Sequence, residues 1–222
     1  LEALVPLGIR WCAQMSIDVA RDEALLDLMQ RSGCFLALIG FETLEPASLR
    51  QMGKRWNRVA GDYADVVARL RRRGIMVYGT FVGGYDADGP DSFVAAADFA
   101  ATNKLAIANF NPLTPMPGTA LFARLAAEGR LVDDRWWLSP DYRYGQAIFR
   151  PKGMTMDDLA EGPMAARRAF YSLGSIARRA AAVRHPWKLG VMLMANAISR
   201  REIRRKHAAR LGKAGEPRGA TP

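Results

Sequence analysis

Met76-Val77-Tyr78-Gly79-Thr80-Phe81-Val82-Gly83-Gly84-Tyr85-Asp86 is a β-branched and aromatic run that closes on a glycine pair and an acid. Such a run reads as a strand, and the pair as the turn that ends it. Tyr63, Val66, Val67 and Leu70 recur at helical spacing, which predicts a helix over Val59–Arg73 stopped by Gly74. A second helix is expected over Asp91–Asn103, with Phe93, Ala96, Ala97 and Ala100 facing inward. A strand between two helices is the unit of a parallel sheet.

The same unit recurs on both sides. Strands are expected at Trp11–Asp18, Leu36–Thr43 and Ala106–Thr114. Helices are expected from Arg21 or Asp22 to Ser32, over Pro46–Met52, and from Gly118-Thr119 through Glu128. In parallel sheets the chemistry gathers at the carboxyl ends of the strands. Here those ends read Gln14-Met15-Ser16-Ile17-Asp18, Gly40-Phe41-Glu42-Thr43, Thr80-Phe81-Val82-Gly83-Gly84 and Asn109-Phe110-Asn111-Pro112. Acceptors and small residues stand where a core strand prefers apolar ones, as on a ligand-binding face. Strand alternation sets Gln14, Ser16 and Asp18 on one side.

Beyond residue 130 the pattern changes. Leu131–Pro151 is irregular and aromatic, with Trp136, Trp137, Tyr142, Tyr144 and Phe149. It reads either as a loop folded over the open end of the barrel or as a lid lining a substrate pocket. Thr155 to Asp158 starts a capped helix, and helical patterns run through Phe170, from Ser175, and from Trp187 to about Arg210. Leu211–Pro222, rich in Gly, Pro and Lys, is expected to be disordered. The expected division is a barrel part over 1–130, a lid-like connector over 131–162, a basic helical tail over 163–210 and a disordered end over 211–222.

Charge supports that division. Residues 1–162 carry 18 Lys/Arg against 20 Asp/Glu, net −2, whereas residues 163–222 carry 14 against 2, net +12. Two cysteines in 222 residues argue against a disulfide scaffold and for a reducing, cytoplasmic setting. No secretory signal and no membrane-spanning apolar run is legible. The first residue is Leu1, as expected of a fragment or of a chain with a misassigned start.

Three blocks then carry a resemblance: Leu38-Ile39-Gly40-Phe41-Glu42-Thr43, Tyr78 to Asp86, and Asn109-Phe110-Asn111-Pro112-Leu113-Thr114-Pro115-Met116-Pro117-Gly118-Thr119. In this order and spacing the chain resembles the radical S-adenosylmethionine (SAM) superfamily, and within it the cobalamin-binding members. The likeness covers about residues 8–130 and weakens through Arg200-Arg201-Glu202. It implies a partial (βα) barrel of α/β class with about four of six strand–helix units, followed by a basic α-helical tail. It also implies SAM as ligand, a 4Fe-4S cluster and cobalamin in many members; the aromatic lid and tail point to a small, apolar, lipid- or polyketide-like substrate. The family's third-strand polar contact falls on Ser16 and its fourth-strand contact to ribose or methionine on Glu42. Thr80 matches the fifth strand. Gly83 and Gly84 would let backbone approach the ligand, and Asn111, Thr114 and Pro115 sit where the sixth strand passes the adenine. The implied activity is reductive cleavage of SAM for radical chemistry, with cobalamin-dependent methylation of an unactivated carbon in the cobalamin members.

Plainer readings stand beside these. Glu42 could cap the helix at Pro46, Gly83-Gly84 could be only a turn, and Asn109 and Asn111 could satisfy a sheet edge. The chain also departs from the family. The CxxxCxxC loop that holds the cluster is absent, so no residue is assigned as a metal ligand. Cys12 and Cys34 lie 22 residues apart and read as small buried apolar groups. The chain is therefore expected to be the C-terminal portion of a longer enzyme or a truncated gene product, inactive alone. No general acid or base stands out. His185 and His207 sit in the basic tail as solvated groups, and Asp133-Asp134 and Asp157-Asp158 read as loop or helix-start charges. A nucleophile elbow and a phosphate loop are both missing. The rival class is a non-catalytic basic module. Arg167–Arg210 interleaves arginines with Phe170, Tyr171 and Trp187, suiting an anionic membrane surface better than nucleic acid.

Overall fold

A computed structural model describes residues 1–53, 62–140, 142, 143 and 145–210. Four strands form one sheet: β1 (Trp11–Met15), β2 (Cys34–Glu42), β3 (Met76–Gly83) and β4 (Ile107–Pro112). They lie in the order β1-β2-β3-β4, and every pairing is parallel. Each crossover carries helix: α1 (Glu23–Arg31), then α2 (Pro46–Gln51) and α3 (Tyr63–Arg72), then α4 (Ser92–Thr102). The sheet stays open, as a partial barrel does. Beyond it come α5 (Ala120–Ala127), α6 (Met156–Phe170), α7 (Leu173–Ala180) and α8 (Pro186–Arg210).

Period-two alternation sorts the two faces. Ala37, Ile39, Phe41, Val77, Phe81, Ala108 and Phe110 are buried beneath the helices. Phe81 stacks on Phe41 and on Phe110, with ring centroids 5.4 Å apart in each pair. Leu38, Tyr78, Thr80, Val82, Asn109 and Asn111 alternate with them and are only half-buried on the opposite, open face. Side-chain caps start the helices as their sequences direct. Asp22 accepts from Leu25 N–H, Asp62 from Ala64 N–H, and Thr155 with Asp158 forms a complete capping box.

Some boundaries differ from expectation. β1 stops at Met15, and Ile17–Arg21 forms a short 3-10 helix that buries Ile17 and Ala20. Burying Ile17 turns the chain off the strand, so Ser16 and Asp18 do not share a strand face with Gln14. β2 begins at Cys34, which pairs with Trp11, rather than after it. A 3-10 helix over Glu2–Leu7 was not anticipated and buries no residue. The expected helix start at Val59, the aromatic Tyr144 and the whole of Leu211–Pro222 lie outside the described residues.

The two sheet edges are treated differently. On β1, Cys12, Ala13 and Gln14 are exposed. Beside β4 the later helices close in, with α6 packed on both α4 and β4. Arg179 of α7 is 1% exposed and donates to the carbonyls of Leu105, Ala106 and Phe170, each at 3.0 Å, and to Asn196 Oδ1 at 2.8 Å. Its guanidinium also lies 3.8 Å over the Phe170 ring. Burial lowers its pKa to about 10, still far above neutrality, so it stays charged among neutral acceptors. The aromatic stretch folds against the end of β4: Trp136 Nε1 donates to the Pro115 carbonyl, Tyr142 packs 4.8 Å from Trp136, and Leu131 bridges Phe149. Trp137 and Leu138 point outward, 41% and 68% exposed.

Candidate functional site

The carboxyl end of β2 is irregular. Its register with β3 slips between Gly40 and Glu42, and Glu42 sits at φ 65. Outside glycine a positive φ is strained, and such strain gathers at ligand sites. The bulge re-aims the side chain. A Cβ on Gly40 would meet Glu42 Oε1 at 2.6 Å and Thr80 Oγ1 at 3.7 Å. The carboxylate thus lies over Gly40 beside Thr80, on the open face, and only glycine leaves room for it. Glu42 does not cap α2, because Ala47 N–H donates to Glu45 Oε1 at 2.9 Å.

Asp88 fixes this arrangement from behind. It is fully buried and accepts from Gly84 and Tyr85 N–H at 3.0 Å, from Ser48 Oγ at 2.7 Å and from Thr43 Oγ1 at 3.2 Å. One carboxylate therefore ties the turn after β3 to the residue that follows Glu42. Tyr85 stands between them: burial, and then the negative charges of Glu42 and Asp88, push its hydroxyl up to about 12. Asp86 anchors the outer side of the same loop. Arg124 donates to it at 2.7 Å, Arg130 at 2.8 Å and Gln51 at 2.7 Å. Burial alone would raise its pKa, but these donors prevail and hold it far below the usual carboxylate range.

The remaining expected residues are spread along this end of the sheet. Ser16 is exposed at the tip of β1, next to the β2 bulge. The Thr114 hydroxyl donates to the Pro112 carbonyl at 3.3 Å, and Pro115 is buried with its carbonyl engaged by Trp136. A Cβ on Gly83 would lie 2.7 Å from the Phe93 ring, and one on Gly84 2.6 Å from Leu159. The space these glycines leave is thus filled by α4 and α6, and Gly84, at φ 116, makes the turn. Asn111 Oδ1 accepts from Arg167 Nη2 at 2.9 Å, and Asn109 donates to the Tyr78 hydroxyl. Burial is the main cause of a raised Tyr78 pKa. Sequence reasoning passed over Arg167, Tyr78 and Asp88. The Asp four residues after a glycine turn was the legible signal for Asp88.

A 4Fe-4S cluster needs three thiolates, and the described residues do not fit one. No group of three or more His, Cys, Asp or Glu among them could hold a metal ion. Cys34 is buried, and burial pushes its thiol up to about 11. Cys12 is exposed on edge strand β1, which corrects its expected burial.

An open parallel sheet with a strained acid at its carboxyl end is a scaffold that can hold a small ligand there. Comparison with known proteins narrows it. No family model matches. Bacteriochlorophyllide d C-12(1)-methyltransferase of Chlorobaculum tepidum is 33% identical over 201 residues, 90% of this chain and 43% of that protein. The anaerobic magnesium-protoporphyrin IX monomethyl ester cyclase of Cereibacter sphaeroides is 24% identical over 185 residues, 83% of this chain and 28% of the cyclase. The fold is that of the radical SAM methyltransferase TsrM of Kitasatospora setae, solved with cobalamin and a 4Fe-4S cluster. That match has a TM-score of 0.50 at 17% identity, covering 83% of this chain and 40% of TsrM. In sequence the chain is similar to these methyltransferases and cyclases, and in fold to a radical SAM enzyme that binds cobalamin. It spans less than half the length of these relatives.

Proposed function

We propose that the chain forms the SAM-holding, substrate-enclosing part of a radical SAM enzyme whose outcome is cobalamin-dependent methylation of an unactivated carbon in a small, largely apolar molecule. The observation that carries the reading is Glu42, held at φ 65 with its carboxylate over Gly40 beside Thr80. A carboxylate so placed accepts from ribose hydroxyls or pairs with the cationic methionine amine. Thr80 adds a hydroxyl on the next strand. Ser16, Asn111 and Thr114 extend the proposed contact surface across the sheet end, Pro115 lies buried behind it, and Gly83-Gly84 sets the turn that closes it. Bound SAM supplies the methyl group or the radical precursor. This chain's residues bind it, orient it and exclude water. The thiolates for a cluster are proposed to come from outside these 222 residues. Substrates of tetrapyrrole size suit the exposed Trp137 and Leu138 at the rim, with Arg167 the cation on the open face.

The test is amide chemical-shift mapping of the chain with SAM and with S-adenosylhomocysteine. Shifts at Gly40, Glu42 and Thr80 are the expected result. Perturbations confined to other regions would remove the open face as the SAM site.

A second reading, a basic module on an anionic membrane surface, draws on Leu193, Met194 and Ile198, which are exposed on α8 near Arg201 and Arg204. No helix among the described residues is long and apolar enough to cross a membrane. Salt-tolerant binding to anionic vesicles would favour this reading.

A further inference from the structure

At the opposite end of the sheet, where β3 and β4 begin, a half-open cavity of about 850 Å³ lies between the C-terminus of α3, the turn after α4 and the loop joining α7 to α8. Seven Lys and Arg residues line it, and no Asp or Glu does. Three of the seven already serve the fold. Lys188 Nζ donates to the Gly74 carbonyl at 2.6 Å, Arg179 is spent on buried carbonyls, and Arg73 pairs with Asp27 and Glu23. The other four are Arg71, Arg72, Lys104 and Arg184. None makes a side-chain hydrogen bond or ion pair with the described residues.

The negative end of the α3 dipole favours cations there, but only weakly. It accounts for Arg71 and Arg72. It does not account for Lys104 and Arg184, which arrive from two other segments at the same space. Convergent like charges repel, and burial lowers the pKa of Arg71 with no acid to offset it. A bound anion would relieve both costs, and planar guanidinium groups match phosphate oxygens in bidentate geometry. The cavity is larger than one phosphate requires.

We propose that this cavity binds a multivalent anion of the phosphate class. The site is separate from the Glu42 end of the sheet and does not depend on the reading of that end. The phosphate could belong to a free pyrophosphate-type molecule or to a lipid headgroup, and the experiment separates these. The 222-residue chain is titrated with inorganic pyrophosphate by calorimetry, and in parallel with phosphatidylglycerol and phosphatidylcholine vesicles. Two double variants of equal net charge are compared: Arg71→Gln with Arg184→Gln, and Arg178→Gln with Arg201→Gln, the latter two being exposed and outside the cavity. Circular dichroism checks that both fold as the parent does. The expected result is saturable pyrophosphate binding that falls about tenfold or more in the cavity pair and changes less than about twofold in the control pair. The same pattern with phosphatidylglycerol vesicles but not with pyrophosphate would assign the phosphate to a lipid headgroup. Equal losses in both pairs, or binding to neither probe, would overturn the proposal.

Discussion

The Tyr171 hydroxyl accepts from the Ala108 N–H at 3.2 Å and donates to the Ala108 carbonyl at 2.9 Å. One phenol thus satisfies both outward-facing backbone groups of a β4 residue, as a neighbouring strand would. An unpaired sheet edge is a template for association. Here it is closed by a side chain at the end of α6, with Arg179 and Asn196 serving the carbonyls just upstream. The basic helices are therefore part of the sheet's own structure.

Tyr171→Phe keeps the packing and removes both bonds. Leaving buried backbone groups unsatisfied costs roughly 1–3 kcal/mol, so the thermal midpoint should fall by about 2–12 °C. Burial raises the Tyr171 pKa above its ordinary value, near 10. The neutral phenol therefore stabilises the fold below about pH 10, and this contribution is lost as pH rises through the folded-state value. Denaturation above pH 10 should accordingly cost the parent more stability than the variant. An unchanged midpoint would show that water serves the edge equally well.

Asp86 tests the opposite sign. Its side chain is 21% exposed and gathers Arg124, Arg130 and Lys152. Its depressed pKa gives stability that is present above the ordinary carboxylate value, near 4, and lost as pH falls through the folded-state value. Asp86→Asn should cost about 2 kcal/mol at neutral pH, because it leaves Arg124, Arg130 and Lys152 with Glu128 as their remaining counter-charge. The variant's stability should then vary less than the parent's on acidification below pH 4. Urea titrations across that range read both effects.

How far the sequence reached follows from where each signal lives. Parallel topology and the capping box of Thr155 and Asp158 are local patterns, and they were legible. The Met15 boundary was not, because Ile17 leaves the strand to fill the core, a tertiary demand. Glu42 was found as a residue but not as a conformation, since a positive φ on a glutamate has no compositional mark. The Gly83-Gly84 pair was noticed, but the rings and methyls that fill the space beside it come from residues 93 and 159. Arg167 looked like one more tail arginine until α6 set it against Asn111.

Anaerobic reconstitution with iron and sulfide checks the assignment of the thiolates. With one exposed and one buried cysteine, the chain should retain well below stoichiometric cluster after desalting. Retention of a full cluster, with its absorbance and analysed iron and sulfide in agreement, would mean that ligands in this chain have been misread.

Glu42 separates strain from binding in one pair of variants. Glu42→Gln keeps the shape and removes the charge, so SAM affinity should fall about ten- to a hundredfold, the loss of one charge-assisted hydrogen bond of roughly 1.5–3 kcal/mol. Its thermal midpoint should hardly move, because a half-buried acid at the sheet end is not core packing. Glu42→Gly removes the side chain and also relieves the positive φ, which costs of order 1–3 kcal/mol in a non-glycine residue. That variant should lose SAM as the first does while its midpoint rises by a few degrees. The two readouts then move in opposite directions, as expected where strain is kept for a ligand. If instead Glu42→Gly lowers the midpoint and neither variant changes SAM affinity, the carboxylate over Gly40 serves only the fold. The SAM contact would then have to be sought along Ser16, Thr80 and Asn111.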